Sequence, residues 1–243
     1  MLDLANVLIA LGGLLTTVLF SSLAYLQGRR RERRRYYTVE DAEWVEARGY
    51  DYVRLLQELV GLDYASVPGL DQEDEGLPTQ WAPLFEKSKE TWRVVVNPDG
   101  MIVAYWSFFF PTAQIVEKIR AGTLYEGHLS SGDIEVPEAP AKRPVYFSML
   151  TTHPVLATNP EIKGLLYSSM VDALDDLSIA GVHVSEIYAN AFSKPGRNIA
   201  EKMGLKRQGA THEGHPVMFT EWTEQTRAKL LRQAARATAQ VRG

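Results

Sequence analysis

The longest uninterrupted apolar stretch comes first. Leu4 to Leu26, 23 residues, contains no charged side chain. As a helix it would rise ~35 Å, enough to cross a hydrocarbon core of ~30 Å. A helix pairs its own backbone polar groups, so such a stretch can sit in lipid. Beyond it the periods shorten. Ala42 to Leu62 puts Val45, Tyr52, Leu55, Leu56 and Leu59 on one stripe and predicts a helix. Ser66 to Gln80 predicts an acidic loop, and Trp81 to Lys89 a short helix. Trp92 to Val96 and Met101 to Phe109 flank Asn97-Pro98-Asp99-Gly100, a hairpin signal. Ala113 to Ile119 predicts a helix, followed by polar chain ending in Pro137, Pro140 and Pro144. Val145 to Thr152 is apolar without clean alternation, as in a strand buried on both faces. A helix from Glu161 to Ala180 turns Leu165, Leu166, Met170, Leu174 and Leu177 inward, and Gly181 stops it. A strand at Val184 to Ala191, a short helix over 196–203 stopped by Gly204, and strands at Leu205 to Ala210 and Pro216 to Trp222 follow. The last element is a helix from Thr223 to Val241, basic at Arg227, Lys229, Arg232 and Arg236. This order predicts an α/β fold with a mixed sheet and helices on its faces, behind one transmembrane helix.

Charge gives the first segment a direction. Arg29, Arg30, Arg31, Arg33, Arg34 and Arg35 follow the span at once, opposed only by Glu32. The positive-inside rule then places the N-terminus outside and the rest of the chain in the cytoplasm, on a single-pass inner (plasma) membrane protein. A cleaved signal peptide would carry its basic residues before a shorter apolar core, the reverse of this order. Gly13, Thr17 and Ser21 form a small-residue face that permits close helix approach and a homodimer. The chain thus divides into an anchor over 1–28, a basic collar over 29–35, a domain over 36–222 and a basic C-terminal helix over 223–243. Net charge is −4; six arginines against Asp3 and Glu32 give the first 35 residues +4 and leave −8 beyond. The collar suits anionic lipid, and an acidic domain argues against a nucleic-acid partner. With no cysteine, disulfides, thiolate metal sites and a cysteine nucleophile are excluded. His183, His212 and His215 lack metal-ligand spacing, so no metal is expected.

The element order and the residues at its centre resemble the GCN5-related N-acetyltransferase (GNAT) fold over about residues 37–222. Ile199-Ala200-Glu201-Lys202-Met203-Gly204-Leu205 is similar to the family's late L-Y-E-K-x-G-F segment. Asn190 stands where the family often has an asparagine at the end of its fifth strand. Thr151-Thr152-His153-Pro154 resembles the exit of the fourth strand. Ala189, Ala191, Ser193 and Gly196 match the A-x-A-x-S-x-x-G of a poorly characterised bacterial subset. The resemblance implies that the fourth and fifth strands splay and admit acetyl-CoA or another acyl-CoA as co-substrate. It implies contacts from Leu150, Thr152, Lys163, Gly164, Asn190, Gly196 and Arg197, with the pyrophosphate at a helix start. His153, Glu186 and Ser193 are the candidates for proton transfer, Tyr188 a further one.

Two departures qualify the resemblance. Asn159-Pro160-Glu161-Ile162-Lys163-Gly164 keeps only the last glycine of the pyrophosphate loop, and Ala200 stands where the family's tyrosine donates a proton. The expected function is a membrane-tethered acyl-CoA-dependent N-acyltransferase acting on an amine near the inner leaflet, with segment 111–143 as a lid. The alternative is a catalytically inactive GNAT-like sensor or interaction module. A gap between the central strands filled by side chains would favour the alternative; an open one would favour the enzyme.

Overall fold

A computed structural model describes residues 36–70 and 72–242. The span and the collar lie outside them. Among the described residues no helix is long and apolar enough to cross a membrane.

The strands are β1 (Thr38–Glu40), β2 (Trp92–Val96), β3 (Ile102–Pro111), β4 (Ile134–Glu135), β5 (Ala141–Thr152), β6 (Val182–Asn190), β7 (Lys206–Ala210) and β8 (Pro216–Glu221). They form one sheet in the order β1-β2-β3-β5-β6-β8-β7, with β4 beside β3. Every pairing is antiparallel except β5 with β6. The β2–β3 hairpin turns where the sequence predicts it. Asn97 Oδ1 accepts the N–H of Asp99 and Met101 at 3.0 and 2.9 Å, and Gly100 supplies a φ of 85°.

The helices are α1 (Ala42–Ala47), α2 (Tyr52–Ser66), α3 (Gln72–Glu75), α4 (Pro78–Lys87), α5 (Ala113–Ala121), α6 (Pro160–Ile179), α7 (Lys194–Met203) and α8 (Glu224–Arg242). They cover both faces of the sheet. On one face Trp106, Phe108, Val145 and Phe147 meet Ile162, Leu166, Met170 and Leu174 of α6, with Leu230 and Ala234 of α8 behind them. On the other, Tyr105, Phe109, Tyr146 and Tyr188 meet Leu55, Leu56 and Leu59 of α2, Trp81 and Phe85 of α4, and Ile115 and Ile119 of α5. Successive residues of β3 and β5 therefore enter different cores, which is why these strands read as apolar without alternation.

Four expectations change. The helix predicted over Ala42 to Leu62 is two helices, broken at Gly49, whose φ is 69°; α2 restarts where Asp51 caps the Arg54 N–H at 2.7 Å. The predicted loop from Ser66 contains α3 and the start of α4, whose Pro78 occupies the first helical position, where no N–H is needed. The strand predicted from Val145 begins at Ala141 and runs through Pro144, which sits at the β5–β6 register shift between Arg143 and Val145. Segment 111–143 is no lid. Ile115, Ile119, Leu124, Leu129 and Ile134 are buried in the second core, and Gln80 Nε2 donates to the carbonyls of Glu126 and Leu129 at 2.7 and 2.9 Å. The basic C-terminal helix packs on α6, with Arg227 Nε donating to Asp175 Oδ1 at 2.8 Å.

Candidate functional site

The one parallel pair is incomplete. β5 and β6 register from Ala141↔Val182 to Phe147↔Ala189, and beyond that β5 continues to Thr152 beside β3 alone. The cause lies in β5. Opposite β3, Phe108 pairs with Phe147 and Ser107 with Met149, leaving Ser148 as an extra residue. Such a bulge bends a strand and raises its twist. The strands part at this point, and a cleft opens between them.

The cleft holds about 710 Å³ of empty space, its solvent-open mouth included. Phe147 to Leu150 form one wall, and Ala189 to Ser193 the other. Gly196, Ile199 and Ala200 of α7 close the side, with Val67 and Leu70 opposite. α7 is set there by its cap. Ser193 Oγ accepts the Gly196 N–H at 3.0 Å, and Gly204 ends the helix at a φ of 101°. A Cβ on Gly196 would come within 3.2 Å of Ser193 Oγ, so the cap and the glycine fit as a pair. The lining is mostly apolar, with one buried acceptor, Asn190 Oδ1, left without a partner. An orphaned buried acceptor is costly.

Of the candidate binding and catalytic residues named from sequence, Leu150, Asn190, Ser193 and Gly196 line this cleft, together with Ala189, Ala191 and Ala200 of the matched segments. The others stand elsewhere. Thr152 ends β5 opposite Ala104, and its carbonyl accepts from Ser66 Oγ at 3.1 Å. His153 is exposed in the turn beyond, with its N–H on the Val103 carbonyl at 2.8 Å. Gly164 is buried in α6, against the sheet. At the α6 start, where the resemblance implies a pyrophosphate, the N–H groups are already engaged. Asn159 Oδ1 accepts from Glu161 and Ile162 at 2.9 and 3.4 Å, and the Lys163 N–H reaches the Asn159 carbonyl at 3.3 Å. Arg197 lies in the first turn of α7, half-buried. Glu186 and Tyr188 point to the opposite face, where Arg120 donates to the Tyr188 hydroxyl at 2.7 Å and to Glu186 at 3.0 Å. Ala200 is a cleft wall residue and offers no proton. His215 does meet two carboxylates: donor atoms of Asp74, Glu213 and His215 lie within 4.8 Å of one another, Glu213 itself being exposed.

Sequence reasoning missed what lies behind the other side of β5. Asp63 of α2, Glu75 of α3 and Glu126, in the turn after α5, are 0%, 4% and 2% exposed. The Tyr105 hydroxyl donates to Asp63 Oδ2, and the Tyr146 hydroxyl to Glu126 Oε1. Burial pushes all three carboxyls up, Asp63 to about 7 and Glu75 to about 11, and repulsion from neighbouring acids adds to the rise at Glu75 and Glu126. The same two causes push both tyrosines up. Glu75, Glu126, Tyr105, Trp81 and Phe85 surround a small chamber, completed by Ser107, Ser148 and Met149. Ser148 and Met149 also line the cleft, so the two spaces share a wall at the bulge. The one sequence signal was Asp63, four residues after Leu59 and so on the apolar stripe of α2.

No protein-family model matches the chain, and no curated protein matches it. Solved structures do. The mosquito arylalkylamine N-acetyltransferase like 5b is 10% identical, over 76% of this chain and 100% of that one, with a TM-score of 0.45. AtaTR bound with acetyl-CoA is 12% identical, over 79% and 97%, with a TM-score of 0.43. The C-terminal condensation domain of Ebony in complex with beta-alanyl-dopamine is 13% identical, over 76% and 99%, with a TM-score of 0.42. At these identities and scores the likeness assigns nothing to this chain. The mixed α/β sheet with one splayed parallel pair is what the structure itself establishes.

Proposed function

We propose that this chain is an acyl-CoA-dependent N-acyltransferase of the GNAT type, held at the inner leaflet by residues 4–26. The observation that carries the reading is the open, apolar cleft where β5 and β6 part, with Asn190 among its walls. A slender arm bearing amide N–H groups suits such a slot. The pantetheine arm of acyl-CoA, as in the acetyl-CoA bound to AtaTR, has this chemistry. An open gap also speaks against the inactive module, for which side chains should fill it.

The phosphates fit less well where the resemblance implies them. Asn159 would have to give up its cap for an anion to use the α6 N–H groups. Lys194 and Arg197, in the first turn of α7 beside the cleft, offer charge without that exchange. We therefore assign the phosphates to the α7 side, with Gly196 allowing close approach and Ser193 holding the helix start.

Bound acyl-CoA would supply a thioester carbonyl at the shared wall near Ser148. An acceptor ammonium must first lose one proton to a base. Its nitrogen then forms the C–N bond, the C–S bond breaks, and the second proton leaves with sulfur as thiol. Neither Glu186 nor Tyr188 reaches this place from its contact with Arg120, and His153 stands outside the cleft.

The test is calorimetric titration of the full chain in detergent with acetyl-CoA and longer acyl-CoAs. Saturable binding is expected. Absence of binding by every acyl-CoA at millimolar concentration sinks the reading. Tethering is checked separately: the full chain should sediment with membranes after a carbonate wash, and a chain lacking residues 1–28 should not.

A further inference from the structure

The β7–β8 turn, Thr211-His212-Glu213-Gly214-His215, sets two of the chain's five histidines around one carboxylate. Their spacing alone argues for no metal. The fold adds what the spacing lacks. It brings Asp74 of α3, remote in sequence, to the turn, and donor atoms of Asp74, Glu213 and His215 lie within 4.8 Å of one another. An imidazole nitrogen and two carboxylate oxygens, delivered from two separate elements, make a mixed metal-ligand set and not a patch of acids.

The turn holds its donors in place. Gly214 takes a φ of 89°. The Thr211 N–H donates to the His215 carbonyl at 2.7 Å, and the His215 N–H to Thr211 Oγ1 at 3.1 Å. The His215 ring packs against Phe192, with centroids 5.2 Å apart. Glu213 Oε2 stands 3.5 Å from His215 Nε2, and Oε1 stands 3.5 Å from His212 Nε2. That separation is long for a hydrogen bond. It is close to the ~3.3 Å between two ligands bonded at about 2.0–2.1 Å to one tetrahedral ion. His212 Nε2 is itself 2.6 Å from the Tyr125 hydroxyl, an arrangement that orients the outer oxygen of Glu213 from a second layer.

A separate observation calls for positive charge at the same place. Asp74 is the buried member, 8% exposed. Its charge reaches the core, where it adds to the upward push on Glu75, Glu126 and Tyr146. A divalent ion on Asp74 would reverse the sign of that influence. The donors narrow the ion. Calcium and magnesium take oxygen ligands, six or more, whereas imidazole with carboxylate suits zinc.

We propose that Asp74, Glu213 and His215 form a zinc site, completed by water, that ties α3 to the β7–β8 turn. Its place in the fold gives it a role. Leu70, just before α3 in the chain, and Phe192, against which His215 packs, both line the cleft. Zinc would fix these two lining segments relative to each other. The site stands whether or not the cleft takes acyl-CoA.

The experiment is calorimetric titration of the untagged full chain in detergent, stripped with EDTA, using zinc, manganese, magnesium and calcium chlorides. One zinc ion per chain is expected to bind, more tightly than manganese, with no saturable binding of magnesium or calcium. His215→Ala and Asp74→Asn should each weaken zinc by at least roughly tenfold. His183→Ala, whose ring meets Ser178 at 3.0 Å, should not change it. Near-ultraviolet circular dichroism verifies the fold of each variant. Glu213→Gln, on an exposed residue, replaces Asp74→Asn with the same expected loss if that variant does not fold. Cobalt in place of zinc should give the intense visible bands of a four- or five-coordinate site, lost in His215→Ala. Hydrogen exchange with and without zinc distinguishes a tie from a surface site: residues 72–75 and 211–215 should slow together. Absence of zinc binding, or zinc binding that the ligand variants leave intact, overturns the proposal. So does slowing confined to 211–215, or a preference for manganese, magnesium or calcium over zinc.

Discussion

The two spaces that meet at Ser148 are chemical opposites. On the α6–α7 face the cleft is apolar and solvent-open, with Asn190 among its walls. On the α2–α4 face the chamber is tight and acidic, with carboxyls that burial pushes up. Both departures lie along the same bulged strand. A sheet that only had to be stable would zip β5 and β6 to their ends and bury leucine where Asp63, Glu75 and Glu126 stand. The difference teaches that the cleft suits a long neutral arm, while the chamber behind the same strand holds a set of buried acids.

The largest expected effect comes from the acidic side. Asp63 is raised from 3.8 to about 7 by burial. Between those values the folded protein holds a proton that the unfolded chain has released. Stability therefore falls as pH rises from about 4 to about 7, by about 1.4 kcal/mol per pH unit per retained proton, roughly 4 kcal/mol across the window. Glu75 extends the same trend to higher pH. Urea melts from pH 4 to 8 check this. Asp63→Asn should flatten the slope and be the more stable protein at pH 8. A stability that rises over this range would mean the carboxylates are already compensated.

The cleft should answer to a different change. Ala200→Trp keeps α7 helical and fills the slot from its wall. Loss of acetyl-CoA affinity by more than roughly 100-fold, ~2.7 kcal/mol, is expected. Some overpacking cost of about 1–3 kcal/mol should appear in the urea midpoint. If acetyl-CoA affinity is unchanged with the fold intact, acyl-CoA does not lie in this slot and the comparison fails.

How far the sequence reached follows the same division. The hairpin, β5, α6, β6 and α7 were legible because each has a period, a cap or a turn that acts within a few residues. Pro144 argued against strand locally, yet its missing N–H falls at a register shift that only the β5–β6 pairing defines. The α6 start read as a phosphate site from its position in the resemblance, while its own Asn159 was a cap by residue type alone. Leu150, Asn190, Ser193 and Gly196 came from strand ends and a helix start, and the structure gathers them. Glu75 and Glu126 could not be found that way. Each sits in an aperiodic segment, and only the tertiary fold carries it under β5 beside Asp63.

The smallest effect separates the two helix starts. Asn159→Ala removes the acceptor for two N–H groups and should cost about 1 kcal/mol of stability, read from urea midpoints. Ser193→Ala removes the acceptor for Gly196 and should cost a similar amount. Their effects on acyl-CoA should diverge. With the phosphates on the α7 side, Ser193→Ala loosens the turn that carries Lys194 and Arg197 and weakens acetyl-CoA severalfold, while Asn159→Ala leaves the affinity as it was. If the phosphates instead used α6, removing Asn159 would free its N–H groups for them and tighten binding. The sign of the Asn159→Ala change in acetyl-CoA affinity thus decides which helix start faces the phosphates, because one side chain cannot cap those N–H groups and leave them open to an anion.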